Sequence, residues 1–285
     1  MEKTANIAPG LYLVATPIGN LSDITLRALE VLKACALIAC EDTRVSGVLL
    51  THYGISKPLV SVREHNERSA AERVVQAVAG GAAVAYVSDA GTPAISDPGA
   101  RLAAAVRAAR LPVIPVPGPA AVAAAVSASG QALDHWLFYG FLPARTRERR
   151  QVLGELRGLP YALVFYESPH RILETVDDLA GIFEEGRVLT VARELTKRFE
   201  AIDTLTLQDA PHWLREDANR QRGEFVLVLS APAKVPVDDA GELRKTLAVL
   251  LEYLPVSQAA QAAARLTGEK RNAAYQLALE MRTAV

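Results

Sequence analysis

A chain of 285 residues, half of them hydrophobic, carries enough apolar side chain for two domains and an appendage. A net charge of -1 and a pI near 6.5 exclude a uniformly basic coat, so a polyanionic partner has to be met by a local patch. Two cysteines, Cys35 and Cys40, exclude a disulfide framework and are too few for a zinc site; they are expected reduced and buried, and no metal is expected.

No apolar run reaches the ~18 residues that a membrane span requires. Met1 to Pro9 lacks the basic-then-apolar pattern of a signal peptide, which makes the cytoplasm the expected location. Leu11 to Ala15 reads as a strand, followed by the loop Thr16 to Asp23 and a helix from about Ile24 to Ala34. Ala36 to Cys40 is a second strand running into Glu41-Asp-Thr-Arg44, and a helix from Val45 to Tyr53 ends at Gly54, a natural C-cap. The strand Leu59 to Val62 delivers Arg63-Glu-His-Asn66, and a helix over Ala70 to Ala79 stops at Gly80-Gly81. Ala82 to Tyr86 is an apolar strand whose loop, Val87 to Gly99, leads into the helix Ala100 to Arg110, with Asp97 as expected N-cap and Pro98 in its first turn. Val113 to Val116, the turn Pro117-Gly-Pro119 and a small-residue helix from Ala120 to about Ser129 follow. Strands alternating with helices at this spacing predict a mainly parallel sheet with helices on both faces, ending near Pro117.

Trp136 to Leu142 opens the second half, followed by the basic run Arg145-Thr-Arg-Glu-Arg-Arg150. Tyr161 to Tyr166 is a strand, and Glu167-Ser-Pro-His-Arg171 leads into a helix with Ser168 as expected N-cap. Val188 to Ala192, Ala201 to Leu207 and Glu224 to Leu229 are further strands, with Pro211 to Glu216 a short helix. Fewer helices separate these strands, so the second sheet is expected to be mixed. A proline-spaced linker, Ala231 to Val237, precedes three helices, Gly241 to Tyr253, Ser257 to Leu266 and Lys270 to Met281. The expected organisation is an α/β domain over 1–117, a second over 118–232 and a helical extension over 238–285.

Three loops, Thr16 to Asp23, Ser88 to Asp97 and Pro117 to Ala121, leave strand ends in the first domain and converge on one edge of its sheet, where open α/β sheets bind ligands. None contains lysine or arginine, and neither the P-loop nor the three-glycine dinucleotide pattern is present, which turns them away from polyphosphates. A cationic or zwitterionic ligand with an aromatic ring fits Asp89, Ile18, Ile95 and the alanines better. S-adenosylmethionine has that character. An unspecified small molecule, and loops that merely turn tightly, remain open on residue chemistry alone.

Leu11-Tyr-Leu-Val-Ala-Thr-Pro-Ile-Gly-Asn-Leu-Ser-Asp23, Cys40-Glu-Asp-Thr-Arg44, Val87 to Gly99, Pro117-Gly-Pro119, Phe141-Leu-Pro143, Phe165-Tyr-Glu-Ser-Pro-His-Arg171, Ala192-Arg-Glu-Leu-Thr-Lys197 and Gly223-Glu-Phe-Val226 resemble the ribosomal RNA small subunit methyltransferase I family. That family belongs to the tetrapyrrole-methylase-like class of S-adenosylmethionine enzymes. The resemblance runs in order from about Leu11 to Glu280. It implies a two-domain α/β enzyme, usually a homodimer, with the methyl donor in the cleft between domains. The implied reaction is 2'-O-methylation of the ribose of a cytidine in the decoding region of 16S ribosomal RNA, within the small ribosomal subunit. Tetrapyrrole methylases proper commonly carry Gly-x-Gly-x-Gly-Asp in the first loop; Ala15-Thr-Pro-Ile-Gly-Asn20 departs from it and favours the RNA branch.

Under this resemblance Asp89, Ala90, Gly91, Thr92 and Pro93 form the donor loop, with Pro17, Ile18, Ala120 and Ala121 lining the same pocket. Val164 to Tyr166, including Phe165 and Tyr166, and Gly223 to Phe225, including Glu224, lie where the class closes over the adenine. Asp97 reads as the cap that holds the loop. A ribose hydroxyl needs a base or a polarising cation. The candidates are Asp42 with Arg44, Glu64 with His65, Glu167, and Glu194 with Lys197, none of them singled out. Arg145, Arg147, Arg149 and Arg150 are the densest positive run and suit phosphates, a solvated helix face being the alternative. The last two helices resemble a small helix-turn-helix in which Lys270 and Arg271 open a helix against its macrodipole, a placement that favours an anionic RNA partner over a purely structural cap. Methylation of a tetrapyrrole precursor and a non-enzymatic RNA-binding module are the competing readings.

Overall fold

The computed structural model describes residues 7–62, 67–233 and 239–283. Residues up to 232 form one compact unit holding two sheets, and the remainder forms a second unit. The first sheet is built from β1 (Gly10–Val14), β2 (Leu37–Cys40), β3 (Leu59–Ser61), β4 (Ala83–Val87) and β5 (Val113–Val116). Between them run α1 (Leu26–Ala34), α2 (Thr43–His52), α3 (Glu67–Ala79) and α4 (Ala100–Ala108). All pairings in this sheet are parallel, in the order β3-β2-β4-β1-β5.

Side-chain alternation splits the first core in two. Tyr12, Val14, Ile38, Ala85 and Val87 meet α1 and α2 on one face, while Leu11, Ala39, Val84 and Tyr86 meet α3 and α4 on the other. β4 is buried along its whole length, as a strand covered on both faces has to be. The connection from β1 leaves toward β2 over one face, and that from β4 crosses toward β5 over the other. The neighbouring carboxyl ends of β1 and β4 are therefore the topological switch point, where a crevice opens.

The second sheet comprises β6 (Trp136–Phe141), β7 (Ala162–Glu167), β8 (Val188–Arg193), β9 (Ala201–Thr206) and β10 (Phe225–Leu229), preceded by α5 (Ala121–Ala128). Its order is β6-β7-β10-β8-β9, with β6 and β7 parallel and the other pairs antiparallel. The expected class, two α/β layers with a parallel and then a mixed sheet, is the one observed. Packed on one face are α6 (Thr146–Leu156), α7 (Ile172–Ile182) and α8 (Ala210–Glu216), over Phe165, Leu189, Leu227 and Leu229. On the other face α5 lays Val122 and Ala125 on Val164, Ala192, Val226 and Val228, and Ile18 of the first loop packs at the edge of this cluster. Each fully buried valine, leucine or phenylalanine in these clusters contributes about 1.5–3 kcal/mol.

The second unit consists of α9 (Asp239–Tyr253), α10 (Val256–Thr267) and α11 (Arg271–Thr283). Its core is Leu243, Leu247 and Val256 with alanines at 259, 260, 263, 264, 274 and 278, small side chains that let the helices approach closely. No helix among the described residues is long and apolar enough to cross a membrane. Cys35 and Cys40 are free and buried, and burial pushes both thiols up from their ordinary value.

Three helix starts differ from expectation. Thr25, after a 3-10 turn at Leu21–Asp23, caps α1 by accepting from the Ala28 N–H at 3.1 Å. Gly99, not Asp97, is the N-cap of α4, so the Asp97 carboxylate is not spent on the helix. Arg171, not Ser168, precedes α7, because residues 168–171 turn once before the helix begins and the Ser168 carbonyl accepts from Arg171 and Ile172.

Candidate functional site

Two interactions draw the first-domain loops together. Thr16 and Gly91 exchange backbone hydrogen bonds at 2.9 and 3.0 Å, an isolated antiparallel bridge beyond the ends of β1 and β4. The Thr92 hydroxyl donates to the Pro119 carbonyl at 2.9 Å, fastening the third loop to the second. Gly91 makes this possible: its φ is +79°, and a Cβ there would come within 3.3 Å of Ile18 Cγ2.

Across from these loops the second sheet supplies the far wall of a cavity of about 290 Å³. The loops of the first sheet contribute Ile18, Ala90 to Thr92 and Ile95 to Asp97, and the start of α5 contributes Ala120 and Ala121. Phe141, Tyr166 to Pro169, Leu195, Lys197 and Glu224 to Val226 complete it. The Tyr166 hydroxyl accepts from the Val122 N–H at 3.1 Å, tying the start of α5 to β7. Its ring is held edge-on between Phe138 and Phe141, at 4.8 and 5.6 Å between centroids. Burial pushes the Tyr166 phenol up, and the charge of Asp97 adds to the shift. Among the described non-glycine residues, five have positive φ, and four of these, Ala94, Ser96, Glu194 and Thr196, lie in the two loops that face the cavity. Such positions cost on the order of 1–3 kcal/mol each and persist where the surroundings over-determine them.

The charged groups divide into committed and uncommitted. Lys197 Nζ stands 2.8 Å from Glu194 Oε1 and 2.7 Å from Glu224 Oε2, and the Glu224 N–H donates to Glu194 at 3.0 Å. Burial opposes charge on Lys197, but the hydrogen bonds to Glu194 and Glu224 outweigh it, so its pKa lies above the ordinary value. For Glu194 the contacts with Lys197 and Glu224 likewise overcome burial and hold the carboxyl below its usual range. Lys197 is therefore a fixed cation and not a base. Buried Glu167 is bound to Arg171 at 2.8 Å and accepts from Thr175 at 2.7 Å and from the Ser168 N–H. Asp97, half-buried on the cavity wall, is raised from 3.8 to about 6, by burial first and then by the charges of Glu41 and Asp89 against a hydrogen bond with Ser88.

Of the residues expected at the donor site, Ile18, Ala90, Gly91, Thr92, Ala120, Ala121, Tyr166 and Glu224 meet around this cavity. Asp89 and Pro17 do not; they line an adjoining depression of about 360 Å³ with Ser88, Val45 and Val48. Asp89 is turned there because its Oδ1 accepts from the Asp42 N–H at 3.1 Å. Pro93 is buried in the loop outside the cavity lining. Phe165 faces the opposite side of the sheet, since alternation along β7 sends it into the core under α7 while Val164 and Tyr166 face α5.

Asp42 is a correction as a candidate base: it caps α2 by accepting from the Arg44 N–H at 2.8 Å and binds the Arg44 guanidinium at 2.6 Å, outside the cavity. His65 and Glu64 lie outside the described residues. Arg149 is a correction as a phosphate contact, being buried against Asp178 at 2.6 Å. Arg145, the N-cap of α6, is exposed and paired with Glu148 at 3.1 Å, Arg147 is exposed in the first turn, and exposed Arg150 donates to Asp178. Lys270 and Arg271 are exposed where α11 begins. Residue chemistry did not single out Phe141 as a cavity residue, although it opens the Phe-Leu-Pro motif, and demoted Asp97 to a cap.

A family model described as tetrapyrrole (corrin/porphyrin) methylases matches residues 10–211, and one described as the RsmI C-terminal HTH domain matches residues 237–282. The chain is 45% identical over 270 residues to the ribosomal RNA small subunit methyltransferase I of Escherichia coli O157:H7, covering 95% of this chain and 94% of that protein. Among solved structures, the methyltransferase CobJ aligns at a TM-score of 0.59 with 20% identity, over 79% of this chain and 95% of that one. Uroporphyrin-III C-methyl transferase from Thermus thermophilus, complexed with S-adenyl homocysteine, aligns at 0.54 with 16% identity, over 78% and 97%. At these identities the two structures share the fold of the two-sheet unit.

Proposed function

The chain belongs to the ribosomal RNA small subunit methyltransferase I family, and on that premise we propose that it transfers a methyl group from S-adenosylmethionine to the ribose 2'-oxygen of one cytidine in the decoding region of 16S ribosomal RNA. The observation that carries this reading is the cavity itself, closed by loops at the switch point of one sheet and by strand ends of the other. Its residues fit the donor. Ile18, Ala120, Ala121 and Val226 offer an apolar slot for an adenine, and the Gly91 turn, which a Cβ would crowd against Ile18, lets backbone approach the ligand. Among the described residues the one lysine or arginine on its wall, Lys197, is already neutralised by two carboxylates, which favours a sulfonium over a polyphosphate.

When bound, the donor supplies a methyl carbon activated by sulfonium. The chain's part is alignment, exclusion of water and management of one proton. The exposed Arg145, Arg147 and Arg150 at the start of α6, and separately Lys270 and Arg271 at the start of α11, are the groups we assign to RNA phosphates. A homodimer acting in the cytoplasm on the small ribosomal subunit completes the reading.

The test is methylation of small subunits prepared from cells lacking this protein, with the modified nucleotide mapped by mass spectrometry. Donor-dependent appearance of one ribose methyl group on a cytidine is expected. Persistence of that methyl group in the cells lacking the protein would sink the reading, and methylation of a porphyrinoid without RNA would replace it.

A further inference from the structure

We propose that Asp97 is the general base of the transfer, receiving the proton of the ribose 2'-hydroxyl as that oxygen is methylated. This rests on the function proposed above. Asp97 stands out among the acidic side chains of the cavity wall by elimination. Glu167 is saturated by Arg171, Thr175 and the Ser168 N–H, and Glu224 grips Lys197 together with Glu194. Asp97 has no ion pair with any described residue; its polar contact is with the Ser88 side chain.

Its position is held by the fold. The preceding Ser96 has a φ of +62°, as Ala94 has +67°, and Ser96 Oγ lies so close over the β6 bulge that a Cβ on Gly140 would come within 2.7 Å of it. A strained loop clamped at a cavity wall points to a placed side chain. Among the described residues, the charges that act on it are those of Glu41 beyond β2 and Asp89 on its own loop, with the Tyr166 phenol on β7. Lys197, on the same cavity wall, is held by Glu194 and Glu224, so the charges acting on Asp97 favour accepting a proton. A carboxyl raised to about 6 is ionised at neutral pH yet basic enough to be useful.

In the step, the 2'-oxygen bonds to the methyl carbon while its proton passes to an Asp97 carboxylate oxygen. The carbon–sulfur bond breaks with its electron pair on sulfur. The products are the methylated ribose, neutral S-adenosylhomocysteine and protonated Asp97, which returns its proton to solvent.

The experiment uses the full chain and small subunits from cells lacking it, with S-adenosylmethionine binding measured by calorimetry beside single-turnover rates across pH. Asp97→Asn is expected to slow transfer about 10²- to 10³-fold near neutral pH while leaving donor affinity unchanged, and Asp97→Glu to restore part of the rate. The wild-type rate falls about tenfold per pH unit below roughly pH 6, and Asp97→Asn loses that limb. Calorimetry also reports whether the variant is folded. An unchanged rate in Asp97→Asn overturns the proposal, as does a rate loss matched by an equal loss of donor affinity, which makes Asp97 a donor-binding group instead. Failure of the wild-type protein to methylate ribose at all refutes the proposed function, a result visible before any variant is made.

Discussion

Arg149 donates to Asp178 over 2.6 Å with the two side chains 1% and 2% exposed, while its neighbour Arg150 reaches the other oxygen of the same carboxylate from solvent. One carboxylate thus receives two arginines of a run that reads as uniform surface charge. Removing Arg149 takes away the buried partner of that carboxylate and leaves Arg150, which reaches it from solvent. Arg149→Met is expected to cost about 1.5–3 kcal/mol of stability, read by urea unfolding, with RNA affinity at saturating folded protein unchanged. Arg147→Ala has the opposite signature: stability within about 0.5 kcal/mol, and weaker RNA binding whose salt slope falls by about one unit. Equal effects of the two variants on stability would contradict the burial of Arg149.

Gly91→Ala probes the bridge between Thr16 and Gly91. The left-handed φ and the 3.3 Å approach to Ile18 predict a loss of about 1–2 kcal/mol. The new methyl group also enters the cavity wall, so donor affinity in calorimetry is expected to fall by more than the stability change alone explains.

Lys197→Met leaves Glu194 and Glu224 facing each other without their shared cation. The Glu194 carboxyl, held low in the native protein chiefly by contacts with Lys197 and Glu224 that override burial, is expected to rise toward and past its ordinary value, measurable by carbon-detected NMR titration. Methyl transfer is expected to slow by about tenfold to a hundredfold, because Glu194 and Glu224 then repel and the stretch of cavity wall that Lys197 holds together shifts.

Asp97 links function to stability. Folding raises its carboxyl from 3.8 to about 6, so between those pH values the native state keeps a proton that the unfolded chain has released. Stability therefore falls as pH rises through that window, and the cost is fully present above it. Asp97→Asn removes the cost. Calorimetric melting is expected to show the variant more stable than wild type near pH 7.5 and indistinguishable near pH 3.5. A variant less stable at the higher pH would show that the carboxylate is structural.

Much of the architecture was legible because it depends on local rules. The strand Val113–Val116 has the bounds its sequence predicts, and β4 reads as a buried strand because it is apolar throughout. Cap positions were less legible: Asp97 and Ser168 are good capping residues by type, yet each is followed by a turn that delays the helix. Within the site, Ile18, Gly91, Thr92 and Tyr166, singled out by motif, line the cavity.

By itself the sequence determined the two sheets, the three converging loops, the absence of a phosphate cradle and the family, because periodicity, turn chemistry and motif are written in neighbouring residues. Tertiary structure alone decided which side chains of those motifs serve the cavity. Alternation on β7 buried Phe165 and exposed Tyr166 to the site; the Asp42 N–H drew Asp89 into the next depression; Asp178, distant in the chain, took Arg149 out of the surface. Asp97 changed role for the same reason. The chain can specify that a carboxylate sits in a loop, but whether it is capped, paired or left facing a cavity depends on partners brought from elsewhere in the fold.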